Sequence, residues 1–266
     1  MGSEMCIRDR INTTLKGIDE IISRKDAKSL QELARKQIKA CADMIDVNVG
    51  TRVKTEAEDM EWAIRTIQEA VDTPICIDSP NPRVIERGLR VHKGKALVNS
   101  TTAEKERLEE ILSVIRDYDC GIIALTMDDE GIPEDAEGRY RIAAILIEKL
   151  TKEGVDLEDI YIDPLVRPIS TDSNVGKSVL DAIEKISSSF HGIHIVCGLS
   201  NISFGLPKRP LLNRVFLAMA MAKGLDAAIV DPLDKELVSC LIAAKALLGQ
   251  DEFCTNYISA FREGKL

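Results

Sequence analysis

The feature that most constrains the fold is a repeated unit, in which a short β-branched apolar run is followed by a polar turn and a segment with helical periodicity. Nearly continuous apolarity within such runs is typical of strands covered on both faces, as in a parallel sheet. The seven runs are MIDVNVG, PICIDS, KALVNS, GIIALTMD, IYIDP, IHIVCGLSN and AAIVDP. The repeat predicts an α/β fold, either an open doubly wound sheet or a closed (β/α)8 barrel.

A closed barrel requires an eighth strand, and the sequence offers only a poor candidate for it. A helix-like segment precedes MIDVNVG, so the missing strand should lie before Asn12, where the chain reads MGSEMCIRDR. This string is too charged for a central barrel strand, and we interpret residues 1–10 as a non-native or artefactual leader. Because 266 residues suit a barrel, we predict a (β/α)8 TIM barrel with a poorly represented first strand, forming one domain over residues 11–266.

The composition argues against several functional classes. A balance of 44 acidic against 35 basic residues gives a net charge of −9, so binding to nucleic acid has little electrostatic support. Apolar stretches stay well short of the roughly 18 residues that a membrane span needs. The seven cysteines form no CxxC pair and the three histidines show no metal-ligand spacing. We therefore expect a reduced, cytoplasmic protein without bound metal, acting on a small molecule or a protein partner.

Polar side chains recur where the apolar runs end. In parallel strand-and-helix folds the carboxyl ends of the strands meet at one face, and ligands bind there. Any one of these residues alone could simply cap the following helix. Together they predict a site rich in carboxylates and amides, without an obvious nucleophile, that suits a ligand with many N–H donors. The residues are Asp46, Asn48, Asp78, Asn99, Asp128, Asp163, Ser200, Asn201 and Asp231.

Several longer strings together carry a resemblance to a known family. They include MIDVNVGTR, CIDSPNPRVIERGL, ALVNSTTAE, YIDPLVRPIS and VCGLSNISFGLPKRPLLNR. Over residues 11–266 the chain resembles the methyltetrahydrofolate:corrinoid protein methyltransferases and, more distantly, other pterin-binding barrels such as dihydropteroate synthase. The resemblance implies a homodimeric enzyme that moves a methyl group between methyltetrahydrofolate and the cobalt corrinoid of a separate protein, which docks at the barrel mouth.

The resemblance also implies roles for individual residues. Asn201 matches the amide that reaches N5, the ring nitrogen that bears the methyl group, and it is the catalytic candidate. The implied mechanism is hydrogen-bond activation of N5 with in-line attack, and it requires no covalent protein intermediate. The residues matched to pterin contacts are Asp78, Asn99, Asp163, Gly198 and Ser200, and the candidate mouth residues are Asp46, Asn48 and Asp128.

Two alternative functions stay open. Dihydropteroate synthase shares the carboxylate and amide pattern but also binds a pyrophosphate leaving group, for which Lys208, Arg209 and Arg214 are available. The Gly-Leu-Ser that precedes Asn201 favours the methyltransferase. The second alternative is a non-catalytic pterin-binding protein, and the intact set of polar strand-end residues argues against it.

Overall fold

Eight parallel strands form a closed barrel in sequence order in the computed structural model, which describes residues 5–40, 43–230 and 234–266. The predicted (β/α)8 barrel is confirmed. The strands are β1 (Met5–Asn12), β2 (Met44–Asn48), β3 (Ile75–Asp78), β4 (Ala96–Thr102), β5 (Cys120–Leu125), β6 (Ile160–Asp163), β7 (His194–Gly198) and β8 (Ala227–Val230). The α-helices are α1 (Ile18–Ser23), α2 (Ala27–Lys39), α3 (Glu56–Gln68), α4 (Pro82–Val91), α5 (Lys105–Ile115), α6 (Ala136–Lys152), α7 (Val175–Ser189), α8 (Arg209–Ala222), α9 (Lys235–Leu247) and α10 (Thr255–Arg262).

The strand that closes the barrel comes from a segment whose charge pattern predicted a poor strand. β1 begins at Met5 and pairs in parallel with both β2 and β8. Main-chain pairing does not require apolar side chains, and Ile7 and Ile11 supply fully buried contacts. Ile7 faces the barrel interior, whereas a register shift before Ile11 places Ile11 in the core between strands and helices. That residues 1–10 depart from the natural sequence remains a proposal.

Alternation along the strands determines where the apolar interior ends. Side chains on a strand alternate between its two faces, so positions two residues apart face the same way. One residue from each strand packs inside the barrel: Ile7, Met44, Cys76, Leu97, Ile123, Tyr161, Val196 and Ala227. Two positions farther along, on seven of the strands, come Asp46, Asp78, Asn99, Leu125, Asp163, Gly198 and Ile229. A largely polar layer therefore closes the carboxyl end of the apolar interior.

The outward faces of the strands form the second part of the core. Residues such as Ile45 and Ile77 are fully buried and belong to one cluster with helix residues such as Met60 and Ile64. Burial on both faces explains why the strands read as nearly continuous apolar runs. In the described ranges, the helices are too short or too polar to cross a membrane.

The buried position of Ile7 gives a test of the closing strand. We expect Ile7→Ala to lower the free energy of unfolding by about 2–4 kcal/mol, because it removes fully buried methyl groups and leaves a cavity. The matched control is Ile145→Ala on α6, where the side chain is 44% exposed, and its cost should stay near 0.5 kcal/mol. Urea unfolding followed by circular dichroism measures both; equal, small losses would contradict a packed β1.

Candidate active site

A cavity of about 600 Å3 opens at the carboxyl end of the barrel. A neighbouring cavity of about 750 Å3 lies over the loops after β3 and β4, and the two share Asp78 and Asn99 as lining residues. The strand ends therefore do converge on one region, as the sequence pattern predicted. Six of the predicted residues line the first cavity: Asp46, Asp78, Asn99, Gly198, Ser200 and Asn201.

One wall of this cavity alternates amide and carboxylate side chains across three strands. Asn48, Asp78 and Asn99 are aligned in register on β2, β3 and β4. Asn48 Nδ2 donates to Asp78 Oδ2 over 2.8 Å, while Asn48 Oδ1 accepts from the Gly50 N–H over 3.0 Å. Asn99 Nδ2 lies 3.4 Å from Asp46 Oδ2. These contacts orient the side chains, so the wall presents both donors and acceptors to a ligand.

Asp163, at the end of β6, is only 7% exposed and does not line the cavity directly. Its carboxylate accepts hydrogen bonds from the main-chain N–H of Leu165, over 2.7 Å, and of Gly198. Burial raises the pKa of Asp163 to about 7, and the two N–H donors oppose that rise. Near neutral pH both protonation states are therefore populated, so this side chain can accept or donate.

The opposite wall is a short turn after β7. Residues Leu199–Ser203 form a 3-10 helix that carries Asn201 at the exposed mouth. A Cβ atom on Gly198 would lie 3.1 Å from Asn201 Nδ2, so glycine allows the amide to lie close over the strand end. Arg209 donates to Ser200 O over 2.8 Å and to Ser203 Oγ over 3.1 Å, which fixes the turn.

Helix capping does not explain the polar strand ends. The side chains that accept an N–H at the start of a described helix are those of Asp26, Asn81, Asp135 and Asp234. Asp46, Asp78 and Asn99 are not among them. This separation removes the simplest structural alternative for the predicted residues.

One residue of the predicted pattern, Asp128, lies apart from this cavity, and the structure does not describe a second, Asp231. Asp128 belongs to a tight turn with Gly131, accepts from the Glu130 N–H over 3.0 Å and lines a separate cavity beside α6. It lies three residues past the end of β5 at Leu125. Asp231 lies outside the described residues.

Sequence reasoning did not place Arg209 and Asn213 in the wall of the cavity, although both line it. In the sequence, Arg209 stands out only as a cation after a late strand that could bind pyrophosphate. Asn213 is an isolated amide on α8 and leaves no local pattern. Within residues 5–40, 43–230 and 234–266 there is no group of three or more His, Cys, Asp or Glu side chains arranged to hold a metal ion.

Comparisons with known proteins show which enzymes this chain is similar to. A family model described as "Pterin binding enzyme" matches residues 9–231. The chain is 36% identical over 262 residues to a methylcorrinoid:tetrahydrofolate methyltransferase from Eubacterium limosum, covering 98% of this chain and 97% of that protein. It is 30% identical over 242 residues to a methionine synthase from Mycobacterium tuberculosis, covering 86% of this chain and 20% of that protein.

Solved structures agree on the fold. A dihydropteroate synthase from Xanthomonas albilineans superimposes with a TM-score of 0.70 at 14% identity, covering 94% of this chain and 93% of that chain. The same enzyme in complex with 7,8-dihydropteroate gives 0.69 at 16% identity and covers 92% of each chain. The fold and the family match define a pterin-binding enzyme. Within that class the chain belongs to the methyltetrahydrofolate:corrinoid protein methyltransferase family, as the sequence resemblance indicated.

The raised pKa of Asp163 predicts a pH dependence of stability. The folded-state pKa of about 7 exceeds the ordinary aspartate value of 3.8, so the folded protein keeps a proton that the unfolded chain releases. Stability should therefore fall as the pH rises from about 4 to about 7. Asp163→Asn should remove this fall, so its free energy of unfolding should gain on the order of 2–4 kcal/mol relative to wild type across that range.

Urea unfolding at pH 5, 6, 7 and 8 measures this gain. The altered hydrogen bonds of the asparagine also change the free energy of unfolding, but that change does not depend on pH. Asp72→Asn, in the exposed turn after α3, is the control and should give a constant difference. A constant difference for Asp163→Asn as well would contradict the raised pKa.

Proposed function

We propose that this protein transfers a methyl group between N5 of methyltetrahydrofolate and the cobalt of a corrinoid that a separate protein carries. The observation that carries the proposal is one cavity with two different walls, an amide and carboxylate edge at Asp78 and Asn99 and, opposite it, the turn that carries the Asn201 amide. The name of the 36% identical relative supports the same reaction.

The edge formed by Asp78 and Asn99 suits a pterin ring. A pterin presents N–H donors and a carbonyl acceptor along its pyrimidine edge, so it needs carboxylates and amides in alternation. Asp78 accepts from a ring N–H group, and Asn99 both donates and accepts. Asp163, the third residue matched to a pterin contact, is buried behind the wall and would have to become accessible to accept from the ring. A cavity of about 600 Å3 accommodates the bicyclic ring. Gly198 and Ser200 complete the pocket, while Asp46 and Asn48 orient the edge.

Catalysis requires help for a poor leaving group. When the N5–methyl bond breaks, its electron pair stays on N5, and a hydrogen bond or proton stabilises the charge that develops there. Asn201 Nδ2 supplies this bond, and the rigid edge holds the methyl group toward the open mouth for in-line transfer. The partner's corrinoid supplies the cobalt that exchanges the methyl group. The described wall of the cavity presents no Cys, His or Lys side chain, which agrees with direct transfer.

The partner docks at the barrel mouth in this proposal. Two large apolar side chains are exposed on loops at the carboxyl end, Val53 after β2 and Phe204 after β7. Exposed apolar residues beside a site are typical of protein contact surfaces. The corrinoid protein would cover both and bring its cobalt to the cavity. We further propose that the enzyme works in the cytoplasm without a resident metal.

A homodimer is also part of the proposal. The outer face of α8 carries Leu211, Val215 and Met219, which are spaced four residues apart, share one side of the helix and are all exposed. An apolar stripe of this kind supports self-association through antiparallel packing of α8 on its copy.

The two walls should separate binding from catalysis. Asp78 contacts substrate and transition state alike, so Asp78→Ala should mainly raise the Kd for methyltetrahydrofolate. Asn201 acts as charge develops on N5, so Asn201→Ala should lower the transfer rate roughly tenfold to a thousandfold at saturating folate. Stopped-flow transfer to cob(I)alamin and equilibrium folate titration measure the two quantities. An Asn201→Ala protein with a normal saturated rate would refute the assignment.

The α8 stripe predicts a change of oligomeric state. Val215→Glu places a charge at the centre of the stripe and should convert a dimer to a monomer, because an unpaired charge in an apolar interface is costly. Val53→Glu at the barrel mouth is the matched control and should stay dimeric. Light scattering coupled to size-exclusion chromatography distinguishes the two masses. A monomeric wild-type protein, or a dimeric Val215→Glu variant, would contradict an α8 interface.

A further inference from the structure

Arg107 connects the loop after β3 to β4, beside the proposed pterin edge. It lies in the first turn of α5 and is half-buried. Its Nη1 donates to Pro80 O over 2.5 Å, after β3, and its Nη2 donates to Ser100 O over 2.6 Å, near the end of β4. A second, longer contact of 3.5 Å runs from Nη2 to Ser79 O. One guanidinium therefore bridges two separate strand ends.

The bonded carbonyls stand directly beside the pterin edge. Ser79 follows Asp78 and Ser100 follows Asn99 in the chain. The same two strand ends are also joined by the Ser79 N–H, which donates to Asn99 O over 3.1 Å. A shift of either carbonyl would therefore move the side chain next to it, and with it the spacing between Asp78 and Asn99.

The electrostatic setting of Arg107 is unusual for an arginine. Among the described residues it forms no ion pair with a carboxylate, and its hydrogen bonds go to main-chain carbonyls. Burial lowers the pKa of Arg107, with Glu110 and Glu104 opposing this. Charge-assisted bonds to carbonyls are stronger than neutral ones. A planar guanidinium can reach acceptors on two loops at once, whereas a lysine ammonium acts as a point charge.

A second arginine makes the same kind of contact beside Asp163, the third of the proposed pterin contacts after Asp78 and Asn99. Arg139 on α6 is fully buried, and its Nε donates to Pro164 O over 2.8 Å, the carbonyl directly after Asp163. Its Nη1 donates to Asp135 O over 3.1 Å, in the loop before α6. Two different helices thus each send a guanidinium to the main chain beside a proposed pterin contact.

We propose that Arg107 is a positioning residue that holds the main chain just beyond Asp78 on β3 and Asn99 on β4 and so sets the spacing of these two side chains for the pterin ring. This inference rests on the proposed function for its substrate, but the holding contact itself does not. Arg107 acts through main-chain carbonyls, so it affects the geometry of the edge and leaves the turn that carries Asn201 unchanged.

The test compares Arg107→Ala, Arg107→Lys and a control, Arg116→Ala, with wild type. Arg116 ends the same helix and forms an exposed ion pair with Glu153. Hydrogen exchange of the protein without substrate reports directly on the hydrogen bonds from Arg107 to the main chain. Peptides covering residues 79–82 and 100–104 should exchange faster in Arg107→Ala, peptides covering 199–206 should not, and the control should match wild type.

Binding and turnover then report on positioning. Arg107→Ala should raise the Kd for methyltetrahydrofolate roughly tenfold, the scale of lost hydrogen bonds to a charged group, while the single-turnover rate at saturation changes less than about twofold. Arg107→Lys should lie between Arg107→Ala and wild type in both exchange and Kd, and it decides the matter if the alanine variant does not fold.

Three results would overturn the inference: unchanged exchange at residues 79–82 and 100–104, an unchanged Kd, or equal losses in binding and in saturated rate. Failure of the proposed function looks different. A wild-type protein that does not bind methyltetrahydrofolate would remove the substrate assignment, and the exchange measurement would still decide whether Arg107 holds the main chain just beyond Asp78 and Asn99.

Discussion

The register of eight parallel strands is the constraint on which the site depends. Because side chains alternate along a strand, the apolar positions inside the barrel fix which residues face inward two positions later. Cys76 and Leu97 are paired across β3 and β4, and so are Asp78 and Asn99. A slip of one residue in either strand would turn one of these polar groups toward the helices. The apolar interior therefore places the ligand-binding edge.

Polar groups at the end of an apolar barrel lose hydrogen bonds to water on folding, and hydrogen bonds within the protein must replace them. Asp163 shows the cost, because burial raises the pKa of its carboxyl group to about 7 despite two N–H donors. At Asp78 the cost is met by the Asn48 amide. Arg107 and Arg139 satisfy carbonyls just beyond the same strand ends. Hydrogen bonds within and beside this polar layer thus hold Asp78 and Asp163 in place before a ligand arrives.

The barrel and the polar edge of the cavity were predictable because both follow from short-range patterns. Strand-and-helix units repeat along the chain, and Asp78, Asn99 and Asp163 stand where the apolar runs end. Asp128 also follows a strand but belongs to a tight turn and lines a separate cavity beside α6, which no local pattern distinguishes. Arg107 resembles any charged residue on an amphipathic helix, because its partners are main-chain carbonyls, which leave no trace in the pattern of side chains. β1 was hard to recognise because main-chain pairing leaves little trace in its charged sequence.

The central claim is that this barrel moves the N5 methyl group of a folate, and the most direct measurement follows that carbon in the wild-type protein. Methyltetrahydrofolate labelled with 13C in its methyl group is mixed with cob(I)alamin, and NMR reports where the label goes. The account predicts enzyme-dependent appearance of labelled methylcobalamin together with tetrahydrofolate. Absence of label transfer, with formation of dihydropteroate when 4-aminobenzoate and a dihydropterin pyrophosphate are supplied instead, would contradict it.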